Sequence, residues 1–311
     1  MKRLTYAVVL LVAAKAFAVG TPKALTPEPE APDFRISIVN LLVARYNPLG
    51  LEDRLRIGMQ ARLYRNPRAA LRDNFIFFGF TPYLNPAFVK VGPSIEIQPL
   101  SVLNLRIGAE LMQWFGSFKY MQSFGSPRDD YSDSTINKRG DAGGNYVTNG
   151  AHITFEPTLR MKFGPIALQN RFSVEYWTMN LHAGDTVFYE PTLDTLVPSN
   201  GWVISNDIDL VWISKYKFVL GARYSVVKPL YEARHYREGE GQIGNLNGHQ
   251  RVGPLFAYTF FDRPYARFNK PSLIVIANWY VEHRWRTGAD VSQAIPYFVL
   301  GFAFTSDLIP R

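Results

Sequence analysis

The sequence predicts an all-β fold, a closed antiparallel transmembrane β-barrel of about 12 strands. Three observations carry that prediction. Past residue 33 the chain is a succession of strand-length segments in which apolar and polar residues alternate with period two. One face of these segments is rich in Arg, Gly, Ser, Thr and Glu, which suits a confined, wet interior, whereas the other is Leu, Ile, Val and Phe, which suits lipid. The connections alternate between long and short, as they do when one end of a barrel carries loops and the other tight turns.

The segments follow in order. Residues 34–46 alternate weakly. Residues 53–64 set Leu55, Ile57, Met59, Ala61 and Leu63 against Arg54, Arg56, Gly58, Gln60, Arg62 and Tyr64. Residues 75–82 are again weak, and residues 89–98 set Val89, Val91, Pro93, Ile95 and Ile97 against Lys90, Gly92, Ser94, Glu96 and Gln98. A tight turn at residues 99–102 leads into residues 103–115, where Leu103, Leu105, Ile107, Ala109 and Leu111 oppose Asn104, Arg106, Gly108 and Glu110. Residues 152–163 set Ile153, Phe155, Pro157, Leu159 and Met161 against Thr154, Glu156, Thr158, Arg160 and Lys162. After the Gly164-Pro165 turn, Leu168, Phe172, Val174 and Tyr176 oppose Gln169, Arg171, Ser173 and Glu175. Residues 202–213, 218–227, 251–261, 273–286 and 297–305 complete the set.

Segments of this length fit a tilted crossing of roughly 9–11 residues plus overhang. Tyr46, Phe115, Tyr176, Trp212, Tyr224, Trp279 and Trp285 fall near segment ends on the apolar face, where interfacial girdles form. The three longest connections, residues 116–150, 181–201 and 230–250, share one parity. The tightest turns, at 99–102, 164–165 and 214–216, share the other. An even strand number follows, with both termini on the short-turn, periplasmic side.

Composition removes competing classes. The chain has 311 residues, no Cys, and 34 Lys and Arg against 26 Asp and Glu. A disulfide scaffold and a cysteine-ligated metal are therefore excluded. Beyond residue 20 no apolar run approaches the roughly 20 residues a spanning helix needs. Residues 1–18 read as a signal peptide: Lys2 and Arg3, then an apolar run, then Ala16-Phe17-Ala18 as the cleavage signal. Without Lys2, Arg3 and Lys15 the formal charge of +8 falls to +5, so the exported chain is only mildly basic. Residues 19–33 read as a Pro- and Glu-rich periplasmic arm and residues 34–311 as the barrel.

At this point the chain resembles bacterial outer-membrane β-barrel proteins. The stretches Val91-Gly92-Pro93, Ile97-Gln98-Pro99-Leu100 and Leu105-Arg106-Ile107-Gly108-Ala109 look like a barrel hairpin around a periplasmic turn. Phe298, Leu300, Phe302 and Phe304, at every second position of the last strand, are similar to the C-terminal signal read by the barrel-assembly machinery, although Ser306 to Arg311 follow them. The resemblance is one of class. It implies residence in the outer membrane, contact with its lipid and lipopolysaccharide, and the assembly machinery as a partner in biogenesis.

By parity the lumen holds Arg35, Arg54, Arg56, Arg62, Lys90, Arg106, Arg160, Lys162, Arg171, Arg223, Arg251, Arg284 and Arg286. The acids facing inward are Glu96, Glu110, Glu156, Glu175, Asp207, Asp209 and Glu282. The basic set is nearly twice the acidic one, so the expected function is a narrow channel or passive transporter favouring small anionic or neutral solutes. Two alternatives stand beside it. Arg and Glu could pair across strands and plug the lumen, leaving a structural or surface-binding barrel that acts through its long loops. The barrel could also act on lipid. That needs a nucleophile and a base, yet His182, His235 and His249 fall in loops or strand mouths, and His283 has the lipid-facing parity. His152 and Thr154 have a nucleophile–base spacing with no third member evident, so no enzyme is expected. The oxygen-rich run Asp129, Asp130, Ser132, Asp133, Ser134 lacks an EF-hand spacing and reads as a hydrophilic loop. No metal and no cofactor are expected. The basic residues alternate inward instead of forming a surface patch, which argues against nucleic acid.

Overall fold

The computed structural model describes residues 32–309, so the expected signal peptide and most of the expected arm lie outside the described residues. Among the described residues no helix is long and apolar enough to cross a membrane. The chain forms β1 (Phe34–Tyr46), β2 (Gly50–Ala61), β3 (Phe75–Phe80), β4 (Tyr83–Asn85), β5 (Phe88–Val91), β6 (Pro93–Leu100), β7 (Leu103–Phe115), β8 (Ser123–Phe124) and β9 (Val147–Phe163). It continues with β10 (Ile166–Met179), β11 (Val187–Glu190), β12 (Thr195–Pro198), β13 (Gly201–Ile213), β14 (Phe218–Leu230), β15 (His249–Thr259), β16 (Asn269–Glu282) and β17 (Tyr297–Asp307).

Fourteen of these segments make one antiparallel sheet, and the sheet closes because β1 pairs with both β2 and β17. Two walls are broken strands, β3 with β4 and β5 with β6, so the barrel has 12 strands. The breaks have local causes. Pro82 has no N–H for the ladder. At Gly92 a Cβ would stand 1.8 Å from the Ala109 carbonyl oxygen, so only glycine lets β5 and β6 lie this close to β7. The Thr81 N–H donates to the Gly92 carbonyl at 3.0 Å and keeps the two broken strands in register.

The wall is apolar outside; inside it is polar over β6, β7, β9, β10, β13 and β14, and over β15, β16, β17 and β1 it carries a buried cluster with Leu41, Val43, Leu255, Ile274, Ile276 and Val299. Outward Ile107, Leu111, Leu159 and Phe163 are exposed, whereas inward Arg171 and Arg223 are buried. A water-soluble barrel has the reverse pattern, and a contiguous apolar belt of this kind is the surface that lipid covers. Outward Tyr46, Phe115, Trp202 and Trp279 lie toward the end with the long connections, and Phe34, Phe163 and Trp212 toward the other. Trp285 is a correction. It packs edge-on to Tyr131, ring centres 5.8 Å apart, inside the loop layer and not in a girdle.

Several element boundaries differ from the sequence reading, and three of the differences bear on the site. β2 runs from Gly50 to Ala61 and so begins and ends three residues early. β9 begins at Val147, which carries His152 from a strand mouth into the wall. β16 ends at Glu282 and not at residue 286, because the His283 ring accepts the N–H groups of Trp285 and Arg286 at 3.0 and 3.1 Å and turns the chain.

The long connections are not simple loops. β8, β11 and β12 form a second sheet of three strands, every residue of which is buried. The β11–β12 hairpin folds into the ring of wall strands at the long-loop end. Phe188 packs on inward Trp177, ring centres 6.0 Å apart, and the tip reaches β1, where Arg45 donates to the Pro191 carbonyl at 2.6 Å. A helix over Asp133–Asp141, capped by Ser132, sits in the connection between β7 and β9.

Candidate functional site

The site is the lumen and its mouth. Strand register builds it in rows. Glu96 lies opposite Arg106 across β6 and β7, and Arg106 opposite Glu156 across β7 and β9. Arg56 pairs with Glu96, and Arg106 stands 3.7 Å from Glu156, so charge alternates along the row. A second group spans β10, β13 and β14. Arg171 meets Asp207 at 2.6 Å, and Arg223 grips Asp209 with two bonds of 2.6 Å each. Arg160 donates to Gln169 and Gln98, both at 3.2 Å. These guanidinium–carboxylate forks hold neighbouring strands while keeping the interior polar.

Glu110, His152 and Glu175 form a third group. The His152 ring lies between the two carboxylates, with Nδ1 3.0 Å from Glu110 and Nε2 2.9 Å from Glu175, and it stacks on Trp177. Thr154 Oγ1 is 3.2 Å from the same Nε2. Thr–His–Glu is thus assembled, and Glu110 is the third member the sequence did not reveal. A carboxylate oxygen stands at each ring nitrogen, so the imidazole is wedged between Glu110 and Glu175. The group is buried and acts as a strand brace, joined by the Thr81 hydroxyl at 3.0 Å and the Ser173 hydroxyl at 3.0 Å.

Arg54 completes the inward set on β2, bonded to Glu52 at 2.8 Å. Three expected lumen residues stand elsewhere. Glu282 is exposed on the rim, where it accepts from Gln250 at 2.8 Å and Asn245 at 3.2 Å; the β15–β16 register shift beside Gln250 moves it out of the lumen. Arg284 lies in the loop layer and donates to the carbonyls of Arg128 and Asp129 at 2.7 and 3.1 Å. Arg286 follows the end of β16, so it reaches into the mouth from a loop. Of the loop carboxylates, Asp129 takes Arg237 at 2.6 Å and Asp133 takes Arg286 at 2.9 Å.

The mouth holds what sequence reasoning missed. Asp194, at the hairpin tip, accepts from Arg286 through Nε at 2.5 Å and Nη2 at 2.9 Å, and from the Tyr280 hydroxyl at 2.7 Å. Its own carbonyl takes His283 Nε2 at 3.1 Å, so His283 points into the mouth and not into lipid. His249 reaches the Leu193 carbonyl at 2.7 Å. Burial pushes the Asp194 carboxyl up, but the Arg286 guanidinium and the His283 ring overcome this and hold it well below the ordinary carboxylate range. Lys90, buried on β5, lies against three rings, 4.6 Å from the centre of Tyr83, 5.1 Å from Trp177 and 5.4 Å from Phe88.

No family model matches the chain, and no curated protein does. Among solved structures the fold is similar to outer-membrane β-barrels. A KdgM porin shares 9% identity, with 88% of this chain and 99% of that one covered and a TM-score of 0.37. OccAB1 of Acinetobacter baumannii shares 10%, with 86% and 60% covered and a TM-score of 0.41. The β domain of the Bordetella autotransporter Brka shares 9%, with 89% and 99% covered and a TM-score of 0.41. A porin and an autotransporter domain stand side by side in that set, so the likeness is one of architecture and assigns no activity.

Proposed function

We propose that this chain is an outer-membrane channel of small open area, passing small anionic or neutral polar solutes, with a mouth narrowed by the β11–β12 hairpin. The signal-peptide reading of residues 1–18 supports export, and the outward apolar belt supports residence in lipid. Both termini are placed on the periplasmic side, with the long loops toward lipopolysaccharide.

One observation carries the reading: Glu96, Arg106, Glu156, Arg171, Asp207 and Arg223 charge the inner wall at mid-strand along consecutive strands from β6 to β14, whereas β15, β16, β17 and β1 are apolar inside. Desolvating an ion costs several kcal/mol even when it is paired, so these charges are an expensive dry filling beside the Leu, Ile and Val of the facing strands. Purified protein in planar bilayers tests this. Discrete conductance with some preference for anions is expected, and no conductance at any salt concentration overturns the channel.

A second reading rests on the buried hairpin. If the barrel is closed and acts through its loops, the intact chain is silent in that experiment. Removal of residues 187–198 separates the two: in a narrowed channel it raises an existing conductance, and in a plugged barrel it creates one that was absent.

A further inference from the structure

Charge is not shared evenly between the two ends of the barrel. The connections at the short-turn end, residues 62–74, 99–102, 164–165, 214–217 and 260–268, carry eight Lys and Arg against two Asp. Those at the long-loop end, residues 47–49, 86–87, 116–146, 180–200, 231–248 and 283–296, carry eight Lys and Arg against eleven Asp and Glu. Four of the cations at the short-turn end stand together. Lys215 and Lys217 are in the turn between β13 and β14, Arg263 and Arg267 are in the connection between β15 and β16, and all four are exposed. The two connections adjoin, because the Thr259 N–H donates to the Lys217 carbonyl at 2.9 Å. Asp262, the one acid in them, is mostly buried and faces the equally buried Lys270 at 3.7 Å, so it leaves the exposed charge positive.

These cations are set at a fixed depth. Trp212 and Phe218 bracket the first turn, ring centres 5.4 Å apart, and Phe260 and Phe268 bracket the second. Tyr216, between the two lysines, is 66% exposed, and Phe260 and Phe268 are exposed as well. The Lys215 ammonium lies 5.0 Å from the centre of the Tyr216 ring, and the Arg263 guanidinium 4.9 Å from that of Phe261. A turn of four residues cannot carry its charges far beyond the last lipid-facing rings. The cations therefore end where hydrocarbon gives way to water, the layer that holds headgroup phosphates. A soluble polyanion matches the charges and leaves the exposed rings uncovered. A lipid brings an anion and an apolar tail in one molecule.

We propose that the β13–β14 turn and the β15–β16 connection form a docking surface for anionic phospholipid, a phosphate diester with net negative charge. Lys215, Lys217, Arg263 and Arg267 meet the phosphate, and Trp212, Tyr216, Phe260 and Phe268 lie along the chains beside it. A zwitterionic headgroup brings its own ammonium and gains little from the same cations. With both termini periplasmic, as proposed above, the surface faces the periplasmic leaflet, away from lipopolysaccharide. It rests on residence in lipid, which belongs to that reading, and not on conduction.

Tryptophan quenching tests it, with the full-length protein in mixed vesicles of phosphatidylcholine and phosphatidylglycerol, one or the other brominated on its chains. Trp202→Phe with Trp279→Phe leaves Trp212 as the lipid-facing tryptophan, since Trp114 and Trp177 are buried inside and Trp285 is in the loop layer. Phosphatidylglycerol should be favoured at Trp212 by about three- to tenfold over its share of the mixture. High salt should remove most of that preference, because the charges are exposed. The combined change Lys215→Gln, Lys217→Gln, Arg263→Gln and Arg267→Gln should remove it at any salt. Trp279, as the reporter at the opposite end with Trp202 and Trp212 replaced by Phe, should show no preference. Equal quenching by the two lipids at Trp212, a preference untouched by salt or by the combined change, or the same preference at Trp279 overturns the surface. The salt arm uses the unaltered connections, so it decides even if the combined variant fails to fold. Retention on insoluble cell wall, with no lipid preference, gives the cations to another partner and also overturns it. Lipid preference without conductance sinks the channel and keeps the surface, whereas conductance without preference does the reverse. No quenching of Trp212 by either brominated lipid removes the belt from lipid and takes both down.

Discussion

Asp194 decides how firmly the hairpin is held in the mouth. Its carboxylate is the acceptor for Arg286 and Tyr280, all three of them buried. Asp194→Asn keeps the shape and removes the charge, which leaves Arg286 with the Asn47 amide oxygen and, as its one carboxylate among the described residues, Asp133, whose side chain is partly exposed. Losing one partner of a buried pair costs about 3–5 kcal/mol. The expected outcome is a lower urea midpoint in detergent and faster proteolysis within residues 187–198. The same carboxylate sets the pH behaviour. Its value in the folded protein is depressed, so its stabilisation is complete above the ordinary carboxylate range near pH ~4 and is lost as pH falls through the depressed value. Protease resistance of the hairpin should therefore hold at about pH 5 and fail only in stronger acid; loss at pH ~6 would show that another group governs the latch. None of this was legible beforehand. Asp194 sits in a connection with no alternation, and its partner Arg286 was assigned to a strand that stops at Glu282.

At the scale of the element, alternation was the readable signal, and it was clearest from β6 to β14, where lipid and lumen demand opposite residues, and weak on β1, whose inward Leu41 and Val43 are apolar as well. β7 shows this most plainly: its observed span, Leu103–Phe115, is the one expected from the pattern. Ile107, at its middle, faces out, and Arg106 beside it faces in. Ile107→Lys should cost about 2–4 kcal/mol of folding free energy in vesicles, measured by urea titration. A cost near zero would mean that this face is not in hydrocarbon. Where both faces of a strand are buried in protein the signal vanishes. β11 and β12 were read as loop for that reason, since Val187, Phe188, Leu196 and Val197 are all buried and follow no period. A clue was present: a loop exposed to water has little use for Val187-Phe188-Tyr189 followed by Leu193, Leu196 and Val197. The lumen site was half legible for a related reason. Counting inward charges pointed to Arg106, Arg171 and Arg223, which turn out to be paired, while Arg45, on a weakly alternating strand, was not singled out.

At the scale of the whole molecule, closure sets what the chain can lose. Register joins β1 to β17 over ten residue pairs, from Ser37 with Asp307 to Tyr46 with Phe298. Removing the last strand would strip partners from β1 on one side and from β16 on the other. Backbone groups left open in a bilayer cost several kcal/mol each, because no water is there to replace the lost partner. The hairpin is of similar length but is bonded mostly to itself, to β8 and to side chains, so its loss opens no edge of the wall. Two deletions of comparable size should therefore behave differently. Truncation before Tyr297 should abolish the compact form that migrates faster on a gel before boiling than after it, together with the β signal in far-ultraviolet dichroism. Removal of residues 187–198 should retain both. If the truncated chain still showed the compact form, β1–β17 pairing would not be what closes the barrel. If the hairpin deletion lost it, the hairpin would be part of the folding core, and the division into a self-sufficient wall and an inserted mouth would fail.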